Sequence, residues 1–237
     1  MKTKIAFFWM GESIKTPTML VDSIRLVMGR EVAITQLTDR TTPTIKGCDH
    51  IERHDLPSDL MIARLRAYSA MQFSDNLTFF CDADSLFISP LDVSFENEKI
   101  KLLRRGKSHN FNTKINCEYP EYYPEFENKT IGQLMPFMFG AIATFGDQSN
   151  FFEELEKICT TLPKRFHRWY GDQVSLKIAI EKQGIPYDLL DNEKHLYLAN
   201  EILSVEQITM LRFERNVQMI SFKGKKTKAF LAETLNN

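Results

Sequence analysis

Two aspartates follow an apolar run at Asp82 and Asp84, with Ala83 between them. If the extended backbone continues through Asp84, both carboxylates point to the same side of the strand and Ala83 points away. Two such carboxylates stay ionised together only beside a compensating cation, and a hard divalent ion such as Mn²⁺ or Mg²⁺ supplies that charge. The pair therefore predicts a site for a metal ion that binds a diphosphate. The alternative is a solvent-exposed acidic turn without a ligand. The apolar strand before the pair favours the metal site.

A second candidate group lies at Asp172 and Gln173, directly after Gly171. Apolar spacing predicts a helix over 171–183, so Asp172 stands at a helix start. An aspartate there is either an N-cap or a functional carboxylate, and the sequence leaves both roles open. The five histidines show no spacing typical of a metal site, and only His167 is retained as a candidate for substrate contact.

Composition restricts the class of protein. The 237 residues include 30 basic and 31 acidic side chains, which argues against a partner as highly charged as nucleic acid. The apolar stretch near the N-terminus is too short to span a membrane, and the four scattered cysteines are typical of reduced thiols. We therefore expect a cytoplasmic protein with no transmembrane segment. We also expect a single domain over 1–237, with an irregular excursion over about 107–136.

The candidate residues depend on an alternation of strands and helices. Predicted strands cover 4–10, 31–38, 77–81, 138–145 and 217–222. Predicted helices begin near Thr16 and Pro57 and also cover 151–158 and 171–183. This order predicts an α/β fold with a mixed, mostly parallel central sheet flanked by helices. Because ligands bind at the carboxyl ends of strands in such sheets, Asp82 and Asp84 stand where a ligand is expected.

The segment around the aspartate pair, FFCDADSLFISPLD, resembles the metal-binding segment of a known family. This family contains the glycogenin-like and lipopolysaccharide-galactosyltransferase-like enzymes, which are glycosyltransferases of the A-type fold. Four further segments resemble family landmarks in the same order along the chain: MIARLRAYSAM, FMFGAIATFG, WYGDQVSLKIAI and MISFKGKKTK. The resemblance spans nearly the whole chain, and its most specific parts are the DAD and GDQ segments.

The resemblance implies transfer of a sugar from a nucleotide-diphosphate donor, a UDP-sugar, to a hydroxyl acceptor with retention of configuration. The acceptor would be a glycan, a lipid-linked sugar or another hydroxyl compound. Asp172 and Gln173 would be the catalytic residues near the reacting sugar, where the pair would stabilise an oxocarbenium-like transition state or act as nucleophile. The implied metal ligands for Mn²⁺ or Mg²⁺ are Asp82, Asp84 and Ser221. The implied donor-binding residues are Phe8, Asp39, Arg64 (with Arg66 in reserve), Ala83, Gly224 and Lys226.

Some of these assignments have alternatives in the residues themselves. Phe8 could stack on a base or belong to the core. Asp39 could accept a hydrogen bond from a uracil ring or stabilise a turn. Ser221 stands where the family usually has a histidine ligand, and a hydroxyl is a weaker ligand than an imidazole. Phe139 replaces a polar residue before Gly140.

Two other functions compete with sugar transfer. A phosphatase of the haloacid dehalogenase type also places DxD after an apolar strand. Its usual Gly-Thr after DxD is absent here, and GDQVSLK lacks its second acid. A non-catalytic nucleotide-sugar-binding module of the same fold is the other alternative, because the family's histidine is missing. Hydrolysis of phosphate monoesters would identify the first, and donor binding without hydrolysis the second.

Overall fold

The computed structural model describes residues 3–96, 99–106, 112, 114 and 128–222. The strands in these ranges are β1 (Lys4–Phe8), β2 (Ala33–Thr38), β3 (His50–Arg53), β4 (Leu77–Cys81), β5 (Ser85–Phe87), β6 (Ile100–Arg104), β7 (Phe137–Phe145), β8 (Asp188–Leu190), β9 (Tyr197–Ala199) and β10 (Met219–Phe222). The helices are α1 (Lys15–Met28), α2 (Leu60–Ser69), α3 (Ile131–Leu134), α4 (Ser149–Thr161), α5 (Lys164–Arg168), α6 (Gly171–Gln183) and α7 (Val205–Phe213). Among the described helices, none has both the length and the apolar composition needed to cross a bilayer.

The central sheet has seven strands in the order β3-β2-β1-β4-β7-β6-β8. The first four run parallel to one another, β7 is antiparallel to both β4 and β6, and β8 is parallel to β6. The predicted mixed, mostly parallel sheet is therefore confirmed. Its carboxyl-end edge at β1, β2 and β4 is where the candidate residues of those strands lie.

Both faces of the central sheet are buried, which explains the continuous apolar runs in β1 and β4. Phe80 on one face packs against α2 and α4, with its ring centroid 4.5 Å from that of Tyr68 and 4.8 Å from that of Phe152. Phe7 and Phe79 on the other face share a core with α1. The two cores fix β4 on both sides, so the residues that follow it start from a rigid position.

A second, three-stranded sheet in the order β5-β10-β9 lies beside the first. The chain enters it through a turn, because the Ser85 amide donates to the Asp82 carbonyl over 3.2 Å. The extended backbone, on which the placement of both carboxylates on one side depends, therefore does not continue through Asp84. The chain must change direction here to leave the central sheet for β5. Ala83 is consequently the buried residue of the turn, while Asp82 and Asp84 are partly exposed.

The observed ends of helices and strands agree with the predicted ends where the apolar pattern in the sequence is long. Strand β4 and helix α6 begin and end as predicted, and α1 ends at Met28, directly before Gly29, whose φ of 56° favours glycine. Helix α2 begins at Leu60 instead of near Pro57, because Asp59 has the extended backbone of an N-cap residue. Within the predicted excursion 107–136, the described end contains α3, and residues 107–111, 113 and 115–127 lie outside the described residues.

Candidate active site

Asp82 lies immediately after β4, and it packs against the backbone of β7 at Gly140. Its amide lies 3.4 Å from the carbonyl oxygen of Gly140. A Cβ atom at Gly140 would lie only 2.3 Å from Asp82 Oδ2, which is far inside van der Waals contact. Any larger residue at position 140 would clash with this carboxylate. This contact explains why the FMFGAIATFG segment has a glycine at position 140.

Arg64 of α2 joins two carboxylates that are distant in sequence. Its Nη1 donates to Asp82 Oδ1 over 2.9 Å, and its Nη2 forms an ion pair with Asp172 Oδ2. The guanidinium carbon lies 4.8 Å from the ring centroid of Phe139, in a cation–π contact. The Arg64 side chain is 13% exposed. Arg64 therefore ties together α2, the end of β4, the start of α6 and β7.

Asp172 is fully buried, with 0% of its side chain exposed. It is not the N-cap of α6: that position belongs to Tyr170, which has a left-handed backbone with φ of 70° and no side-chain cap bond. Asp172 lies in the first turn, and its Oδ1 accepts a hydrogen bond of 2.7 Å from the Gln173 amide. The helix N-terminus and Arg64 both favour a negative charge at this point. The alternative that Asp172 caps the helix is therefore wrong.

Gln173 is half-buried, and its side-chain oxygen accepts a hydrogen bond from Arg105 Nη2. Arg105 follows β6 directly, and its Nε donates to the Met135 carbonyl over 2.7 Å. Burial lowers the pKa of the Arg105 guanidinium, while Tyr170 acts in the opposite direction. Sequence reasoning missed Arg105. Its only signal in the sequence was a basic pair, Arg104 and Arg105, directly before the irregular excursion.

Ser221 lies on β10 opposite Ser85 of β5, and the neighbouring Phe222 amide donates to the Asp84 carbonyl over 3.2 Å. The hydroxyls of Ser221 and Ser85 are both buried, and neither makes a hydrogen bond with the described residues. Two buried hydroxyls that lack a partner in the described part of the chain therefore lie on the strands beside the Asp84 backbone. Carboxylate and hydroxyl oxygens are hard donors that suit Mn²⁺ or Mg²⁺.

The described residues contain no group of three His, Cys, Asp or Glu side chains that could hold a metal ion. Among the described residues, the ligands predicted from the sequence are the carboxylates of Asp82 and Asp84 and the hydroxyl of Ser221. Ions such as Mg²⁺ commonly use one or two carboxylates and complete their shell with water and substrate phosphates. The residues present fit an ion that binds together with a diphosphate.

The predicted nucleoside contacts lie at the ends of β1 and β2. Phe8 is 8% exposed and packs in the core shared with α2. Asp39 accepts hydrogen bonds from the amides of Thr41 and Thr42, at 3.1 and 2.7 Å, and so stabilises a turn. Partial burial acts to raise the pKa of Asp39, but the hydrogen bonds from Thr42 and Thr41 outweigh it and lower the pKa. Thr42 also binds the Gly11 amide, which links the two loops.

The remaining predicted residues are placed less closely around this cluster. Arg66, the reserve for Arg64, points elsewhere and pairs with Glu156 at 2.6 Å. His167 lies on α5 with its Nδ1 3.6 Å from Asp59 Oδ2. Gly224 and Lys226 lie outside the described residues. The structure thus brings together Arg64, Asp82, Asp172 and Gln173.

No known protein family matches the sequence, and no curated protein sequence matches it either. The fold, however, is similar to several solved structures. A glycosyltransferase involved in glycosylation of the major capsid of PBCV-1 shares 12% identity and a TM-score of 0.56, with 100% of this chain and 99% of that chain covered. The galactosyltransferase LgtC, solved with donor and acceptor sugar analogues, shares 11% identity and a TM-score of 0.56, covering 99% and 96%.

The bifunctional glycosyltransferase WbbM is also similar, with 13% identity and a TM-score of 0.60. The match covers 100% of this chain but 50% of WbbM, so the chain spans about half of that protein's length. At these identities the likeness shows the fold alone. The chain has the glycosyltransferase A-type fold, as the resemblance in sequence implied.

Proposed function

We propose that this chain is a glycosyltransferase that moves a sugar from a nucleotide-diphosphate donor to a hydroxyl acceptor. The observation that carries the proposal is the contact of Arg64 with both Asp82 and Asp172. It assembles three charged groups at the carboxyl end of β4, in a fold shared with solved glycosyltransferases. A charged cluster at this edge is the arrangement expected for ligand binding in an open α/β sheet.

Asp82, Asp84 and Ser221 are the residues that would hold a divalent ion, Mn²⁺ or Mg²⁺. Their oxygens suit such an ion, and the buried Ser221 hydroxyl has no other partner among the described residues. When bound, the ion supplies a Lewis acid for the charge that develops on the departing diphosphate. A UDP-sugar is the donor we propose, on the likeness of the DAD and GDQ segments to the galactosyltransferase family.

Asp172 and Gln173 have different proposed roles: Asp172 contributes a negative charge, and Gln173 contacts the donor sugar. Asp172 is fully buried and paired, so it acts through its negative charge and through its hold on Arg64. That charge favours the positive charge that develops at the anomeric carbon as the donor bond breaks. Gln173 is half-buried and lies beside it, which suits a direct contact with the donor sugar. LgtC has also been studied as an active-site variant with a glutamine replaced by glutamate. Retention of configuration is part of the proposal, on the resemblance of the DAD and GDQ segments to the family.

Donor hydrolysis by the purified chain tests this function without knowledge of the acceptor. A panel of UDP-, GDP- and dTDP-sugars is incubated with Mn²⁺ or with EDTA, and released nucleoside diphosphate is measured. We expect slow release from a UDP-sugar with Mn²⁺ and loss of release with EDTA. p-Nitrophenyl phosphate serves as a control and should remain intact.

Two outcomes would overturn the proposal and favour its alternatives. Hydrolysis of the phosphate monoester without any nucleotide-sugar would indicate a phosphatase. A donor that raises the melting temperature by mass action but is never hydrolysed or transferred would indicate a non-catalytic binding module.

A further inference from the structure

Arg105 is a half-buried cation whose two side-chain hydrogen bonds within the described residues are both to neutral oxygen atoms. Its Nε donates to the Met135 carbonyl, and its Nη2 donates to the side-chain oxygen of Gln173. Its own amide is also fixed, because it donates to the Pro136 carbonyl over 2.6 Å. Among the described residues no carboxylate pairs with Arg105. Removing a guanidinium from water without a counter-charge is costly, so its charge needs a reason beyond packing.

The chemistry of arginine decides which way the Gln173 amide points. A guanidinium has only N–H donors and no acceptor, so the atom that it contacts must be the amide oxygen and not the nitrogen. The two N–H groups of Gln173 are then directed away from Arg105. They donate to no described residue, and Gln173 is half-buried. Gln173 therefore presents hydrogen-bond donors at the site and keeps its oxygen occupied.

We propose, resting on the function proposed above, that Arg105 is a positioning residue that holds Gln173 as a hydrogen-bond donor to a hydroxyl oxygen of the donor sugar. The proposal gives the Gln173 oxygen no role as a nucleophile, because that oxygen is held by Arg105. It also assigns a role to Arg105, which lies 41 residues in sequence from Arg64 and makes no contact with Asp82 or Asp172. Arg105 acts on the reaction only through Gln173.

The first test is a double-mutant cycle on donor hydrolysis. Arg105→Met should lower kcat/KM for the donor by about tenfold to hundredfold, because a misplaced contact group can cost about 10² in rate. Arg105→Lys should recover part of the loss, since a lysine can donate to the same oxygen. In a Gln173→Ala background, Arg105→Met should cause no further loss, because its target is gone.

A matched control separates this role from a general effect of charge. Arg104→Met removes the same charge from the adjacent, exposed residue at the end of β6, and it should leave kcat/KM unchanged. A loss from Arg105→Met that persists in the Gln173→Ala background would show a structural role and overturn the proposal. So would wild-type kinetics in Arg105→Met.

The side-chain amide signal of Gln173 gives a readout that does not depend on activity. In ¹⁵N-labelled protein this signal is identified by its loss in Gln173→Ala. We expect its ¹H and ¹⁵N shifts to change in Arg105→Met and to stay unchanged in Arg104→Met. If they are unchanged in Arg105→Met, the contact is not the one proposed. If the shifts change but the wild type hydrolyses no donor, the proposed function fails and the positioning contact stands.

Discussion

Replacement of Arg64 by methionine is expected to lower the free energy of unfolding by about 3–5 kcal/mol. Methionine retains packing over the Phe139 ring but removes the guanidinium that pairs with Asp172, a side chain with 0% exposure. Most of the destabilisation comes from Asp172, whose buried carboxylate loses its partner. Asp82 contributes less, because water can still solvate its carboxylate. Urea denaturation followed by circular dichroism measures the change.

Two further variants identify the cause of that loss. Arg66→Met, on the same helix, breaks a surface ion pair with Glu156 and should cost at most about 1 kcal/mol. Arg64→Met combined with Asp172→Asn should be more stable than Arg64→Met alone, because no isolated charge remains buried. Equal unfolding midpoints for Arg64→Met and Arg66→Met would contradict the buried ion pair.

Asp172→Asn is expected to lower kcat for donor hydrolysis by about 10² to 10³, the usual contribution of a group aimed at developing charge. Asparagine has nearly the same shape, and its oxygen can still accept from the Gln173 amide. Arg64 keeps its contact with Asp82, so the fold should survive. Donor affinity should change little, because the lost charge matters mainly in the transition state.

The control for this variant is Asp147→Asn, which makes the same change at an exposed aspartate before α4. Asp147 accepts a hydrogen bond from the Ser149 amide over 2.8 Å, and asparagine can also accept it. We expect wild-type kcat for this variant. Near-normal kcat in a stably folded Asp172→Asn would reduce Asp172 to a structural partner of Arg64.

The sequence predicted the type of fold and the start of α6 because these depend on long, regular patterns. Apolar runs in β1 and β4 and the helical spacing of α6 each cover five residues or more. Strands β5, β8 and β9 have three residues each, which is too short for a period to be read. Of the three strands in the second sheet, the sequence therefore predicted only one, over 217–222.

The roles of individual site residues depended on contacts that spacing does not reveal. From the sequence Asp172 could be a helix cap or a functional carboxylate, because its partner Arg64 lies 108 residues earlier in the chain. Whether the extended backbone of β4 continues through Asp82 and Asp84 could not be decided from the regular strand before them. The turn arises from the change of sheet, which is a tertiary constraint.

Titration calorimetry of UDP into the wild type and into Asp84→Asn, each with and without Mn²⁺, tests the central claim most directly. We expect the wild type to bind UDP in the presence of Mn²⁺ and to lose that binding when EDTA replaces the ion. Asp84→Asn should keep the wild-type melting temperature in the absence of ligand and show no Mn²⁺-dependent binding. UDP binding to Asp84→Asn with unchanged Mn²⁺ dependence would contradict the assignment of this site.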